Sequence, residues 1–280
     1  MAKVTPHPDE MSFLDHLEAL RWHLIRATVA VLVGGVVAFI FKGFIFDVLL
    51  FGPRNADFWT YDILCRLSTA VGVDGGFCFE EMPFKIQSRT MGGQFSAHVW
   101  VSITAGFIIA FPYILYEFWR FVAPAMKENE KKYSKGFILA SSVLFILGVL
   151  FGYYVVTPLS INFLGKYQVS QDVLNEFDLA SYISLVRASV IASGLIFELP
   201  IIIYFLTRVG VVTAAFLRKY RKYALVIVLI ISAIITPPDI VSQIIVAIPV
   251  LILYEVSIWI AAAVERADRR ALRKQELRKK

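Results

Sequence analysis

This chain of 280 residues has only two cysteines and four histidines, and they form no CxxC pair and no Cys/His cluster. The histidines, His7, His16, His23 and His98, share no helix face. There is no Walker loop, no glycine-rich turn after a strand and no HExxH, and no serine sits in a GxSxG context. An enzyme working inside a membrane would need a Ser/His or paired-Asp arrangement at membrane depth, and none is present. The chain reads as a non-enzyme that calls for no metal and no cofactor. No internal repeat is detectable. Charge is the next scarcity: Asp, Glu, Lys and Arg make up 18% of the residues, against about 25% in soluble domains. An ordinary soluble globule is excluded.

Apolar residues fill the gap, at 58%, with a mean hydropathy of +0.68. They are clustered into runs of few or no charges. A hydrocarbon core ~30 Å thick needs about 20 apolar residues at 1.5 Å each, and only helices satisfy their own backbone there. The runs predict an all-α integral membrane protein with six transmembrane helices, over about 24–42, 97–118, 136–158, 182–206, 223–236 and 240–262. The whole chain, 1–280, reads as one membrane domain. Residues 1–21 are polar, and no small-residue cleavage site follows the first run, so that run is read as a retained helix. With these spans, 21 of the 28 Lys and Arg fall on the side that holds both termini and six on the other. The positive-inside rule then places both termini in the cytoplasm. The basic loops face anionic lipid, and nucleic acid is not a partner. Trp22, Trp100, Trp119 and Trp259 lie near span ends, where aromatic belts form.

Local patterns refine this outline. Phe13, Leu14, Leu17, Leu20 and Leu24 recur at three and four residues, which predicts an amphipathic start over 12–23, lying on the inner membrane surface and running into the first span. Ser12 and Asp15 resemble a capping box. The first external loop is long and rich in apolar residues, so an ordered cap is expected. It holds Cys65 and Cys78, which either pair in an oxidising compartment or stay as buried thiols. Helices five and six are joined by Thr236-Pro-Pro-Asp239 and are expected to make a short hairpin, the fifth being only about 14 residues, or ~21 Å. A basic tail is expected over 264–280.

Acids in costly places are the functional candidates. Glu198 falls deep in helix four, and a site for a partner helix or a hydrated groove is favoured over a structural hydrogen bond. Glu255 reads as an interhelical or headgroup hydrogen bond, and Glu117 with Arg120 as a local ion pair. Glu18, with Arg21 three residues on, and Glu130 stand out among the bases. They are either surface charges or an acidic site for a basic ligand, since carboxylates accept paired hydrogen bonds from guanidinium.

Several segments together carry a resemblance: Ser12–Arg21 (SFLDHLEALR), Phe111–Ala125 (FPYILYEFWRFVAPA) with Glu130 beyond it, Phe197–Pro200 (FELP), Thr236–Gln243 (TPPDIVSQ) and Ala247–Pro249 (AIP). In order and spacing the chain resembles the TatC family, the multispanning receptor subunit of the twin-arginine protein translocase. The resemblance implies a bacterial cytoplasmic-membrane protein that binds twin-arginine signal peptides of folded cargo at its cytoplasmic face. It implies assembly with TatA/TatB-type single-span subunits, with other copies of itself and with lipid, and export driven by proton-motive force. By position it makes Glu130 the principal arginine-binding carboxylate, with Phe121 and Pro124 shaping the site and Arg21 and Glu18 completing it. It makes Glu198 an intramembrane polar site for partner helices, with Asp239 and Gln243 at the outer edge of the last hairpin, and it matches Pro53 to a loop proline. Two departures stand out. The family often has two adjacent acids where this chain has Glu18 and Ala19, which puts more of the arginine binding on Glu130. The loop around Phe58–Arg89 is long. The rival reading is a proton-coupled secondary transporter or channel for a small solute, which tends to show inverted repeats.

Overall fold

Among the described residues, five helical stretches are long and apolar enough to cross a membrane: Leu17–Ile40, Gly93–Val122, Gly136–Lys166, Leu179–Arg208 and Ile240–Arg270. They belong to a computed structural model that describes residues 13–55, 57–71, 84–123, 134–170, 172–173, 175–237 and 239–279. In chain order the elements are α1 (Phe13–Ile40), α2 (Trp59–Val71), β1 (Lys85–Gln87), α3 (Gly93–Val122), α4 (Ser134–Phe151), α5 (Thr157–Lys166), β2 (Glu176–Asp178), α6 (Leu179–Phe197), α7 (Leu199–Arg208), α8 (Ala214–Lys219), α9 (Arg221–Ile235) and α10 (Ile240–Lys279). They pack as two compact units, Met1–Ile45 with Gln94–Val143 and Phe46–Gly93 with Leu144–Lys280.

In the first unit α1 and α3 meet backbone to backbone. A Cβ on Gly106 would collide with the Val31 carbonyl and the Gly35 backbone, and one on Gly34 would lie 3.1 Å from the Gly106 Cα. Glycine is what lets the two helices approach so closely, which raises dispersion contact where lipid supplies no hydrophobic drive. Near one end of the crossing the His98 ring stacks on Phe39, centroids 3.7 Å apart, with Nε2 3.1 Å from the Phe39 carbonyl.

The second unit is built on a similar contact. Cβ atoms on Gly148 and Gly152 would come within 2.6 Å of the Ser193 and Ser189 carbonyls of α6. A π-helical turn, Gly152–Val156, joins α4 to α5. Pro158 has no N–H to offer a carbonyl in the preceding turn. The Thr60 hydroxyl of α2 donates instead to the Tyr154 carbonyl, at 2.5 Å. Around it Tyr61 donates to the Pro53 carbonyl (2.8 Å), Tyr153 to Leu49 (2.7 Å) and Tyr182 to Leu50 (2.8 Å). Phe58 stacks on Tyr154. These bonds tie Leu49, Leu50 and Thr60 to the π turn and α6.

Four features differ from the sequence reading. The fold is helical as expected but carries one small addition: β1 and β2 pair in parallel, Lys85 opposite Glu176 and Gln87 opposite Asp178. Three-residue strands are too short to print an alternating pattern. The third helix does not end near 158 but continues through the π turn to Lys166, because Pro158 falls in the first turn of α5, where a missing N–H is tolerated. The sixth helix is long, not short, and there is no separate tail, since α10 runs on to Lys279. Beyond Val264 its Ala, Glu, Leu, Lys and Arg are strong helix formers, with no glycine or proline among them to stop the helix. The second and fourth helices also outrun their expected ends. The fifth is short as expected: α9 has 15 residues, about 23 Å.

The α7–α10 region holds together through a core of Ile203, Ala214, Leu217, Ile258, Ala261 and Ala262. Gly210 takes φ +82°, a left-handed conformation that glycine adopts cheaply after a helix end. Acids of α10 fasten the neighbouring elements to it: Glu265 accepts from the Ala214 N–H (2.7 Å), Asp268 from Arg208 (2.5 Å) and Glu255 from Arg221 (2.6 Å). Glu255 is thus the interhelical bond expected of it.

Candidate functional site

The last turns of α3 place Tyr113, Glu117, Arg120 and Phe121 on adjoining positions, spaced by three and four. The Glu117 side chain is only 2% exposed, and it is ringed by hydrogen-bond donors. His23 of α1 lies with Nδ1 2.5 Å from Oε2. A carboxylate only accepts, so the imidazole carries its proton on Nδ1. Tyr113 donates to Oε1 at 2.8 Å. Arg120 lies 3.7 Å from Oε1 and Arg26 of α1 3.9 Å from Oε2. One buried carboxylate therefore holds α1 to α3 and balances the bases about it, the arrangement a buried charge requires. The His23 ring also meets the Phe121 ring edge-on, centroids 6.1 Å apart.

This junction carries some of the sequence candidates. Phe121 is half-buried against His23, and Glu18 and Arg21 are exposed within about one and a half turns before His23 on α1. Pro124 and Glu130 lie outside the described residues. The pairing of Glu117 with Arg120 was legible from spacing. His23, Arg26 and Tyr113 were missed as its partners. Tyr113 at four residues was a local signal, whereas the α1 contacts join positions 94 residues apart and leave no trace in one sequence.

Glu198 lies within the fourth helical stretch, Leu179–Arg208, as expected. It closes α6, and Pro200 opens α7, so the stretch bends there. Its carbonyl accepts from Ile201 and Ile202, both at 2.9 Å, and its side chain is buried. At the last hairpin Asp239 accepts from the Ser242 N–H (2.8 Å) and hydroxyl (2.7 Å), capping α10. Gln243 donates to the Leu229 carbonyl at 3.0 Å, bonding α10 to α9. Asp239 also lines a groove of about 270 Å³ with Asn162, Lys166 and Tyr167. Cys65 is disulfide-bonded, and Cys78 lies outside the described residues. Among the described residues no group of three His, Cys, Asp or Glu side chains is placed to hold a metal ion.

A family profile described as the Sec-independent protein translocase protein (TatC) matches residues 15–249. The chain belongs to the TatC family. It is 44% identical to the TatC of Blattabacterium sp. subsp. Periplaneta americana (strain BPLAN) over 259 residues, 92% of this chain and 97% of that one. The TatC of Aquifex aeolicus (strain VF5) is 35% identical over 91% of this chain and 97% of its own. A crystal structure of the twin-arginine translocase receptor TatC, 34% identical, superposes with a TM-score of 0.66 over 89% of this chain and 99% of that one. A second, of the same receptor in DDM, gives 0.68 at 35% identity, over 88% of this chain and 99% of that one. As a TatC-family member the chain is a multi-pass membrane component of a protein translocase and not an enzyme.

Proposed function

We propose that this chain is the translocase subunit that receives twin-arginine signal peptides of folded proteins at the cytoplasmic face. The observation that carries the reading is the α1–α3 joint. It sets the Phe121 ring against His23, so the exposed Glu18 and Arg21 turn of α1 and the end of α3 belong to one surface. Glu130 follows that end in sequence and supplies the principal carboxylate for the signal's arginines, with Pro124 shaping the approach. Charge-assisted bonds of this kind contribute roughly 1.5–3 kcal/mol each. The likeness to solved twin-arginine receptors supports the same reading.

In this reading the chain crosses the bacterial cytoplasmic membrane six times, α9 being the short fifth crossing, with both termini inside by the distribution of Lys and Arg. Glu198, at the break between α6 and α7, is the contact for TatA/TatB-type single-span helices, and Asp239 and Gln243 shape the outer edge of the hairpin beside it. Copies of the chain assemble together, export draws on proton-motive force, and Cys65 pairs with Cys78 on the outer side. Glu130→Gln tests the central assignment. Site-specific crosslinking of a twin-arginine signal peptide in native membranes is expected to be lost while membrane insertion is unchanged, and normal crosslinking would sink it.

A further inference from the structure

We propose that Glu117 keeps the signal-binding surface receptive to a dication by cancelling the bases beside it, and so acts as a positioning residue of that site. This rests on the function proposed above. Three bases, His23, Arg26 and Arg120, converge on the Glu117 carboxylate. The two arginines are about half exposed, so their charge reaches the adjoining surface. Among the described residues Tyr113 is the other titratable group bonded to Glu117, and it is a neutral donor. A ligand that presents two arginines next to Phe121 would meet a strongly positive end of α1 and α3 if that carboxylate were neutral. With the carboxylate charged, one of the two arginine charges is offset, which lowers the positive field that the exposed acid of α1, Glu18, has to oppose. Glu117 does not touch the ligand. It sets the field in which the ligand binds.

The charge and the hydrogen bonds of Glu117 are separable. A Gln at this position keeps an oxygen for Tyr113 and presents an amide N–H to a neutral His23, whose Nδ1 then accepts. Only the negative charge is removed. The test uses the full chain with its partner subunits in lipid vesicles and the equilibrium affinity of a fluorescent twin-arginine signal peptide. Glu117→Gln is expected to weaken binding about tenfold at low salt, shrinking toward wild type near 0.5 M salt as the Debye length falls to a few ångströms. Adding Arg120→Gln to that variant is expected to restore most of the affinity, which no loss of helix packing would do. An affinity within twofold of wild type overturns the proposal. So does a loss that neither salt nor Arg120→Gln relieves, which would make Glu117 a helix-to-helix tie alone. Glu130→Gln is measured alongside. Normal binding there defeats the site assignment itself, whereas lost binding with Glu117→Gln unaffected defeats only the charge-cancelling role.

Discussion

The imidazole Nδ1 of His23 lies 2.5 Å from the Oε2 of Glu117, joining the start of α1 to the end of α3 beneath the exposed Glu18 turn. A carboxylate acceptor makes the bond charge-assisted, and the Glu117 side chain is almost fully buried. Removing the acceptor strands His23 and leaves Arg26 and Arg120 facing each other. Glu117→Ala should therefore cost about 2 kcal/mol, less than the 3–5 kcal/mol typical of a fully buried pair because the arginines reach solvent. His23→Ala should cost about half as much, since Tyr113 and Arg120 still serve the carboxylate. Thermal unfolding of the purified protein in detergent, read by circular dichroism, checks both, and equal midpoints for the two variants and wild type would refute the tie.

The Thr60 hydroxyl and the Tyr154 carbonyl make the corresponding bond in the second unit. Thr60→Val keeps the shape and removes the donor, leaving a carbonyl that Pro158 cannot serve. The expected cost is about 1–3 kcal/mol, felt locally as faster hydrogen exchange in α2 and the Pro53 turn. The buried phenol of Tyr61 makes the same region sensitive to alkali. Burial raises its pKa far above the ordinary value, so the folded state holds its proton more tightly than the unfolded chain. A raised folded pKa means the stabilisation is complete below the unfolded value and declines as pH climbs beyond about 10. Tyr61→Phe should remove that alkaline component, and exchange rates measured across pH would reveal it.

Glycines that look alike in sequence should respond differently. Gly148→Ala and Gly152→Ala drive a Cβ into α6 carbonyls at 2.6 Å, and each should cost about 1–3 kcal/mol through displaced helices. Gly136→Ala meets nothing within 4 Å and should be neutral or stabilising by about 0.5 kcal/mol. Unfolding midpoints of the three variants in one detergent decide the matter, and the idea fails if they shift together.

Glu198→Ala is expected to weaken association with single-span partner helices, leaving signal-peptide binding intact. Co-purification of the partners and crosslinking of the signal, measured on one preparation, separate the two effects. Loss of both would assign Glu198 to holding the α6–α7 bend instead.

The apolar runs were plain in the sequence because membrane solvation leaves a helix no alternative, and α9 was recognised as short for the same reason. The motif segments around Phe121, Glu198 and Asp239 identified the family, which the profile over residues 15–249 bears out. Helix ends were less visible. The third helix was expected to end near 158 and runs on to Lys166, and the bases after Arg266 looked like a tail and proved to be helix. Asp239 and Gln243 were read as edge residues for a partner, yet their side chains close the hairpin itself. The strands β1 and β2 were invisible, since a parallel pair of three residues each gains its meaning from a partner 91 positions away.

Composition and pattern along the chain were enough to settle the solvent, the apolar helices and the family, because each depends on local hydrophobicity and on motifs contiguous in sequence. Folding alone chose which helices touch. Gly106 could meet Val31, Thr60 could find the carbonyl beside Pro158, and Glu117 could gather His23 and Arg26 once distant helices lay within a few ångströms of each other. Hydrogen bonds and Coulomb terms act at that range, and no one-dimensional pattern records it.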